Sequence, residues 1–181
     1  VLLTLVYILI FKGSCIAMLK LKQVNSTLKE LSAPLIVFPV SLEPQGRNKK
    51  EASPRPASQE ITLAKLGQRF GLDLDYFIKS NVQFEAKSGQ SFALPVLGDR
   101  SVQEVLFVGA PERFSNVYDE RQWYRRLGVL ISQHVGALKV SRAALVDRCL
   151  NLSAPNLSAL VEGALLARYR FERYRSKPAP A

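Results

Sequence analysis

The chain has 181 residues, of which 48% are hydrophobic, and it carries a formal net charge of +10 at pH 7. This balance favours one globular domain with a real core and argues against disorder. Two cysteines are too few for a disulfide framework, and one histidine leaves little material for a histidine metal site or a Ser-His-Asp triad. The basic charge favours nucleic acid, acidic membrane or acidic protein partners, against the simpler alternative of a solubilising surface.

Residues 1–11 form a continuous apolar run, VLLTLVYILIF, which Lys12 ends. As a helix this run would span only about half of a bilayer core, and no basic segment precedes it. The only methionine, Met18, opens a stretch that is typical of a domain start. We therefore predict that residues 1–17 are an apolar leader or upstream sequence. A signal or membrane anchor is the first alternative, and a structural segment is the second.

The next segments predict two strands and a loop. Residues 19–24 alternate between apolar and polar side chains, which indicates a half-buried or edge strand. Residues 34–40 are almost wholly apolar and fit a central strand buried on both faces, with Pro39 at its end. Residues 41–58 are rich in Pro, Ser, Lys and Arg, so we predict a flexible basic insertion there.

Residues 61–70 and 72–80 indicate short helices, and residues 91–97 and 102–108 indicate strands. A further strand is predicted around residues 143–146. Because strands and helices alternate along the chain, we predict an α/β fold. Its three layers would consist of a mixed, mostly parallel sheet flanked by helices.

A long helix should follow Ser115 or Asn116, either of which could cap it. On this helix His134 falls on the same face as Trp123 and Leu127. We interpret His134 as a packed core residue, since no second histidine and no obvious orienting carboxylate accompany it. Asn156 or Ser158 should cap the final helix.

The last helix leads into an alternation of aromatic and basic residues, ARYRFERYRSK at residues 167–177. A helix with Glu-Gly, followed by Tyr-x-Phe-x-x-Tyr and a basic residue, resembles the end of the N-terminal domain of leucyl (cytosol) aminopeptidases. The residues that carry the resemblance are Glu162, Gly163, Tyr169, Phe171 and Tyr174. The resemblance implies a macro-domain-like fold over residues 18–177, with residues 178–181 starting an interdomain linker.

The resemblance also implies a function for a parent protein, a di-metal exopeptidase that releases N-terminal amino acids from peptides. The family's ligand signature, Asn-Thr-Asp-Ala-Glu-Gly-Arg-Leu, is absent from this sequence. We therefore expect this chain to be non-catalytic. The two divalent metals, zinc or manganese, would belong to a catalytic domain outside it. The resemblance further implies packing on that domain, homohexamer assembly and a cytoplasmic location.

Two other functions remain open. The chain could be a nucleic-acid-binding module, because some bacterial members of the family bind DNA as well as peptides. The basic candidates for such contacts are Arg168, Arg170, Arg173, Arg175 and Lys177. Alternatively the chain could be a free-standing protein-interaction module, with the aromatic rings of the same segment forming an apolar patch that needs a partner.

Overall fold

The structure is a computed structural model that describes residues 4–12, 18–26, 31–41, 64, 67–71, 73, 84, 86–111, 113–147 and 152–168. Its strands are β1 (Thr4–Lys12), β2 (Met18–Ser26), β3 (Leu35–Val40), β4 (Ser91–Pro95), β5 (Glu104–Gly109) and β6 (Arg142–Asp147). Its two long helices are α1 (Val117–Ala137), between β5 and β6, and α2 (Ala154–Arg168), after β6. Residues 67–70 are also helical.

The strands form one six-stranded sheet in the order β2-β1-β6-β3-β5-β4. The three central strands, β6, β3 and β5, run parallel to one another. The outer pairs, β1 with β2, β1 with β6 and β4 with β5, are antiparallel. Every residue of β3 is buried, as expected for a parallel strand covered on both faces. The predicted α/β fold, with a mixed sheet that is mostly parallel at its core, is confirmed.

Each face of the sheet has its own hydrophobic core. On one face, α1 and α2 pack against side chains that include Leu35, Val37 and Leu106. On the other face, Phe38 and Phe107 meet edge to face, with their ring centroids 6.2 Å apart. Leu31, Ala33, Phe84 and Ala86 and the partly buried Phe70 cover this second face. The sheet is therefore the middle one of three layers, as predicted.

The apolar N-terminal run is part of the sheet, which corrects its prediction as a leader or upstream sequence. Residues 4–12 form β1, which pairs with β2 along its whole length and with β6 from Leu5 to Ile10. Val6 joins the core on one face, whereas Tyr7, Leu9 and Phe11 join the core on the other. The run is continuous because both faces of the strand are buried. The domain thus starts before Met18, and for residues 4–12 the structural segment is the correct alternative.

Other local predictions are confirmed with small changes of boundary. β2 is an edge strand, β4 and β5 occupy the two predicted strands around residues 91–108, and β6 covers residues 142–147. Pro39 lies inside β3 opposite Val108, but β6 pairs with β3 only as far as Val37. The missing N–H of Pro39 therefore falls where β3 has only one strand neighbour. The predicted insertion, apart from Ser41, lies outside the described residues, as does most of the predicted helix pair at 61–80.

A polar network fixes the loop between β4 and β5. Arg69 donates from Nε and Nη2 to Oδ2 of Asp99, at 3.0 and 2.8 Å, and from Nη1 to the carbonyl of Leu31 at 2.6 Å. The other oxygen of Asp99 accepts from the hydroxyl of Ser101 at 2.7 Å and from its backbone N–H at 2.8 Å. The hydrogen bond from the Ser101 hydroxyl is the main cause that lowers the pKa of Asp99 from 3.8 to about 2, with a smaller contribution from Arg69.

We expect Asp99→Asn to remove part of the acid sensitivity of folding. Because the pKa of Asp99 is lower in the folded chain, its stabilisation is fully present above about pH 4 and is lost as the pH falls toward 2. Allowing for its partial exposure, the effect should amount to about 1–2 kcal/mol. Urea unfolding at pH 7 and at pH 3 measures it. Ser101→Ala should reduce the same pH dependence, and Arg100→Ala should not. If the free energy of unfolding of Asp99→Asn fell between pH 7 and pH 3 as much as that of the unchanged chain, this account would be contradicted.

Candidate interaction surface

The two long helices lie side by side on one face of the sheet and run in the same direction. Two contacts show this, because they progress along both helices together. Glu120 accepts a hydrogen bond from Asn156 at 2.8 Å, and Arg125 pairs with Glu162 at 2.8 Å. Close to the second contact, the backbone of Gly128 reaches Leu160 and Ala164. Parallel helices are expected because each one follows a strand of the parallel group, α1 after β5 and α2 after β6.

α1 begins at a well-formed cap and is anchored to the sheet near its start. The side chain of Asn116 accepts from the N–H of Asp119 at 2.8 Å, which confirms one of the two predicted caps. About two turns after this cap, Nε1 of Trp123 donates to the carbonyl of Gly109 at 3.1 Å. This buried bond ties α1 to the end of β5 and thereby sets the position of α1 over the sheet.

α2 begins earlier than predicted. The helix starts at Ala154, and the N–H of Leu157 already donates to the carbonyl of Ser153 at 2.9 Å. Asn156 and Ser158, the predicted caps, are therefore inside the helix. The side chain of Asn156 is buried and bonds to Glu120 on α1, so it joins the two helices instead of capping one. The prediction placed the start of the helix too late, and it missed this role of Asn156 because the partner lies 36 residues away in the sequence.

Gly163, one of the residues of the family motif, lies where the backbones of the helices touch. A Cβ placed on Gly163 would overlap the carbonyl oxygen of Arg125 and lie 2.8 Å from its carbonyl carbon. The reciprocal position on α1 is Gly128, whose added Cβ would overlap the carbonyl oxygen of Leu160. Since any side chain here would push the helices apart, the Gly of the Glu-Gly motif has a structural reason.

Glu162, the other residue of that dipeptide, lies on the rim of the same contact. Its carboxylate accepts from Nε of Arg125 at 2.8 Å. The two side chains keep 49% and 34% of their surface exposed, respectively. An ion pair this exposed adds little to stability.

We expect the pair to contribute less than about 1 kcal/mol to folding. A double-mutant cycle with Arg125→Ala and Glu162→Ala, followed by urea unfolding, measures the coupling energy. The coupling should shrink further in 0.5 M salt because the charges are screened. A coupling above about 2 kcal/mol would mean that Glu162 holds the helices together, instead of lying at their rim.

The solvent side of α2 is unusually apolar. Leu165 and Leu166 remain 39% and 62% exposed, and Val161 is half-buried one turn earlier. These residues, with Glu162 between them, form two adjacent rows of i, i+4 neighbours, which we call the outer face of α2. α1 exposes Val117 and Tyr118 in its first turn, but beyond that turn its outer side differs, since it exposes polar and charged residues that include Arg121, Arg126 and Gln133.

The end of α2 contacts β1. The guanidinium of Arg168, a predicted nucleic-acid contact, lies over the ring of Phe11 at 5.3 Å from its centroid. This cation–π contact ties the last turn of α2 to the first strand. The other candidates lie outside the described residues. They are the basic residues Arg170, Arg173, Arg175 and Lys177 and the aromatic residues Tyr169, Phe171 and Tyr174.

His134 has a partner that the sequence did not reveal. It lies on the face that carries the buried Trp123 and Leu127, as predicted, but a quarter of its side chain is exposed. Its Nδ1 lies 2.7 Å from Oε1 of Glu104, at the start of β5. A carboxylate beside an imidazole orients the ring. Sequence reasoning missed this carboxylate because it comes from a strand 30 residues away.

The described residues do not fit a metal centre. In the part of the chain that the structure describes, no three His, Cys, Asp or Glu side chains are grouped closely enough to hold an ion. The pair of His134 and Glu104 offers two such groups, and none of the other residues that the structure describes adds a third.

Comparison with known proteins identifies the family. The family model described as the cytosol aminopeptidase family, N-terminal domain, matches residues 50–178. A relative, the probable cytosol aminopeptidase of Persephonella marina, is 28% identical over 104 residues, which cover 55% of this chain. A mutant of tomato leucine aminopeptidase resembles the structure over 85% of this chain with a TM-score of 0.52 and 18% identity, so this likeness concerns the fold.

The matched part of this chain is a small share of each relative. The match covers 20% of the Persephonella marina protein and 29% of the tomato chain. The family model covers more than two thirds of this chain and extends through the predicted aromatic and basic motif. The resemblance inferred from Glu162 to Tyr174 is thus confirmed: the chain belongs to the cytosol aminopeptidase family, of which it carries the N-terminal domain.

Proposed function

We propose that this chain is the non-catalytic N-terminal domain of a longer metallo-aminopeptidase that releases N-terminal amino acids, leucine among them, from peptides. In this role it packs on the catalytic domain and supports assembly of a homohexamer. The observation that carries the proposal is the match to an N-terminal-domain model together with the small share of each relative that the match covers. In this proposal zinc or manganese is bound by the remainder of the longer protein. The described residues hold no group of three possible ligands.

The location proposed for this protein is the cytoplasm. The relative from Persephonella marina is named a probable cytosol aminopeptidase, which supports the proposal. In the described residues, neither long helix combines the length and apolar character that a membrane crossing requires.

The intact mass of the native gene product tests the proposal first. We expect a mass well above the 20.2 kDa of this chain. The purified product should hydrolyse leucine amide after addition of manganese or zinc, lose this activity with a chelator, and sediment as a hexamer. A mass near 20.2 kDa, or a longer product without metal-dependent peptidase activity, would overturn the proposal.

A nucleic-acid-binding role is the alternative, and the charge of +10 is the observation that favours it. One of its five basic candidates, Arg168, is already engaged with Phe11. Titration of labelled duplex DNA at two salt concentrations distinguishes the two roles. Binding that weakens steeply with salt would support the alternative, whereas absent or salt-independent binding would eliminate it.

A further inference from the structure

The outer face of α2 does not have the composition of a solvated helix surface. A surface helix ordinarily carries polar and charged residues on the side away from the core. The exposed residues of α2 include only two that are polar, Ser158 and Glu162; the others are Ala154, Pro155, Leu165, Leu166 and Ala167. This pattern is typical of a helix that is covered on both sides.

Glu162, the charged residue of the outer face of α2, forms an ion pair with the neighbouring helix. The carboxylate of Glu162 is paired with Arg125 on the neighbouring helix. The apolar side chains of Val161, Leu165 and Leu166 thus flank a residue whose charge is already partly neutralised. A partner with an apolar surface could cover this face without leaving an unpaired charge in the interface. Nucleic acid does not fit the face, because its phosphates would meet leucines and a carboxylate instead of cations.

The position of the face in the chain suggests what covers it. Leu165 and Leu166 lie in the last described turn, immediately before the residues that complete the family match at 178. In the longer protein proposed above, everything that follows would start beside this face. The relatives are several times longer than the part that this chain matches, which leaves ample polypeptide to form a covering surface.

We propose that the outer face of α2, formed by Val161, Leu165 and Leu166 around Glu162, is the docking surface for the polypeptide beyond Ala181 of the same molecule. This inference rests on the proposed function, and it goes further because it assigns the interdomain contact to one helix face.

Site-specific cross-linking in the whole gene product tests the docking surface. A photoreactive phenylalanine analogue replaces Leu166, and a matched control carries it at Gln133, which is exposed on the outer side of α1. We expect the analogue at position 166 to cross-link within the same molecule to peptides beyond Ala181, and the control to give at least tenfold less of these products. Cross-links confined to residues 1–181, cross-links to a second copy in mixed isotope-labelled samples, or no cross-links at all would overturn the inference.

A second measurement does not depend on the photoreactive group. Leu166→Glu should increase the rate of proteolytic cleavage after residue 168 of the intact protein by about tenfold, because the charge opposes docking. Gln133→Glu should leave the rate unchanged. Equal rates in the two variants would also count against the docking surface.

The intact mass separates the failure of this inference from that of the proposed function. A gene product near 20.2 kDa would overturn both the docking surface and the proposed function, since no polypeptide would follow to cover the face. A long gene product with metal-dependent peptidase activity but without the expected cross-links removes only the docking surface.

Discussion

A chain that starts at Met18 is expected to remain unfolded. This truncation removes β1, which lies between β2 and β6 in the sheet. Its buried side chains Val6, Leu9 and Phe11 are at most 5% exposed, and burial of each is worth about 1.5–3 kcal/mol. Loss of these residues and of the pairing with two strands is comparable with the whole net stability of a domain, about 5–15 kcal/mol. β2 would in addition lose the strand that joins it to the sheet.

Circular dichroism and proton NMR of the truncated and the full chain measure this effect. The full chain should show dispersed amide signals and cooperative thermal unfolding, and the truncated chain neither. A milder variant, Leu9→Ala, should lower the free energy of unfolding by about 2–5 kcal/mol. Lys22→Ala on the exposed side of β2 should change it by less than about 0.5 kcal/mol. A folded, cooperative chain starting at Met18 would show that β1 is dispensable and would contradict its place within the sheet.

The N-terminal run shows why apolar segments are hard to interpret without the fold. A leader, an anchor and a strand buried on both faces all appear as continuous hydrophobic sequence. The β-branched and aromatic residues of 4–11 are compatible with a strand, but the methionine at 18 suggested a boundary instead. The run is identified as a strand by its place beside β6 in the sheet, and this place is visible only in the assembled fold.

Features with local causes were predicted well. Periodicity located β5, α1 and β6 to within a few residues, and the short-range side-chain preference of Asn116 predicted the start of α1. Contacts across the fold were not predicted. The carboxylate of Glu104 beside His134 and the bond between Asn156 and Glu120 each join residues that are 30 or more positions apart. None of these four residues is marked by a motif, so no signal in a single sequence could pair them.

The Glu-Gly motif lies between these two cases. The resemblance to a family singled out Glu162 and Gly163 without a physical reason, and the structure separates their roles. Glu162 forms an exposed ion pair and should be replaceable as far as folding is concerned. Gly163 lies at the crossing of α1 and α2, where the chain opposite leaves no space for a Cβ. Within this motif the glycine should therefore determine stability, whereas the glutamate is part of the outer face of α2.

Gly163→Ala is accordingly expected to be the most damaging single methyl addition in α2. The new Cβ would overlap the carbonyl oxygen of Arg125, and backbone atoms cannot turn aside as a flexible side chain can. The helices must separate, which also disturbs the packing of Leu160 and Ala164 against the sheet. Overpacking typically costs 1–3 kcal/mol, and we expect about 3 kcal/mol here because both sides of the contact are backbone. At this chain length the midpoint of thermal unfolding should fall by about 6–12 °C.

Gly136→Ala provides the matched control for this prediction. Gly136 is also helical, in the last turn of α1, but its added Cβ would have no atom within 4 Å. Alanine there should be neutral or should stabilise the chain by about 0.5–1 kcal/mol, because it restricts the unfolded chain and favours helix. Differential scanning calorimetry of both variants compares the two expectations directly. If Gly163→Ala melted at or above the temperature of the unchanged chain, α1 and α2 would not be in backbone contact, and the structural reason given for the Gly of the motif would be wrong. If both variants lost stability equally, the cost would come from the loss of glycine as such, and the crossing of the helices would not explain it.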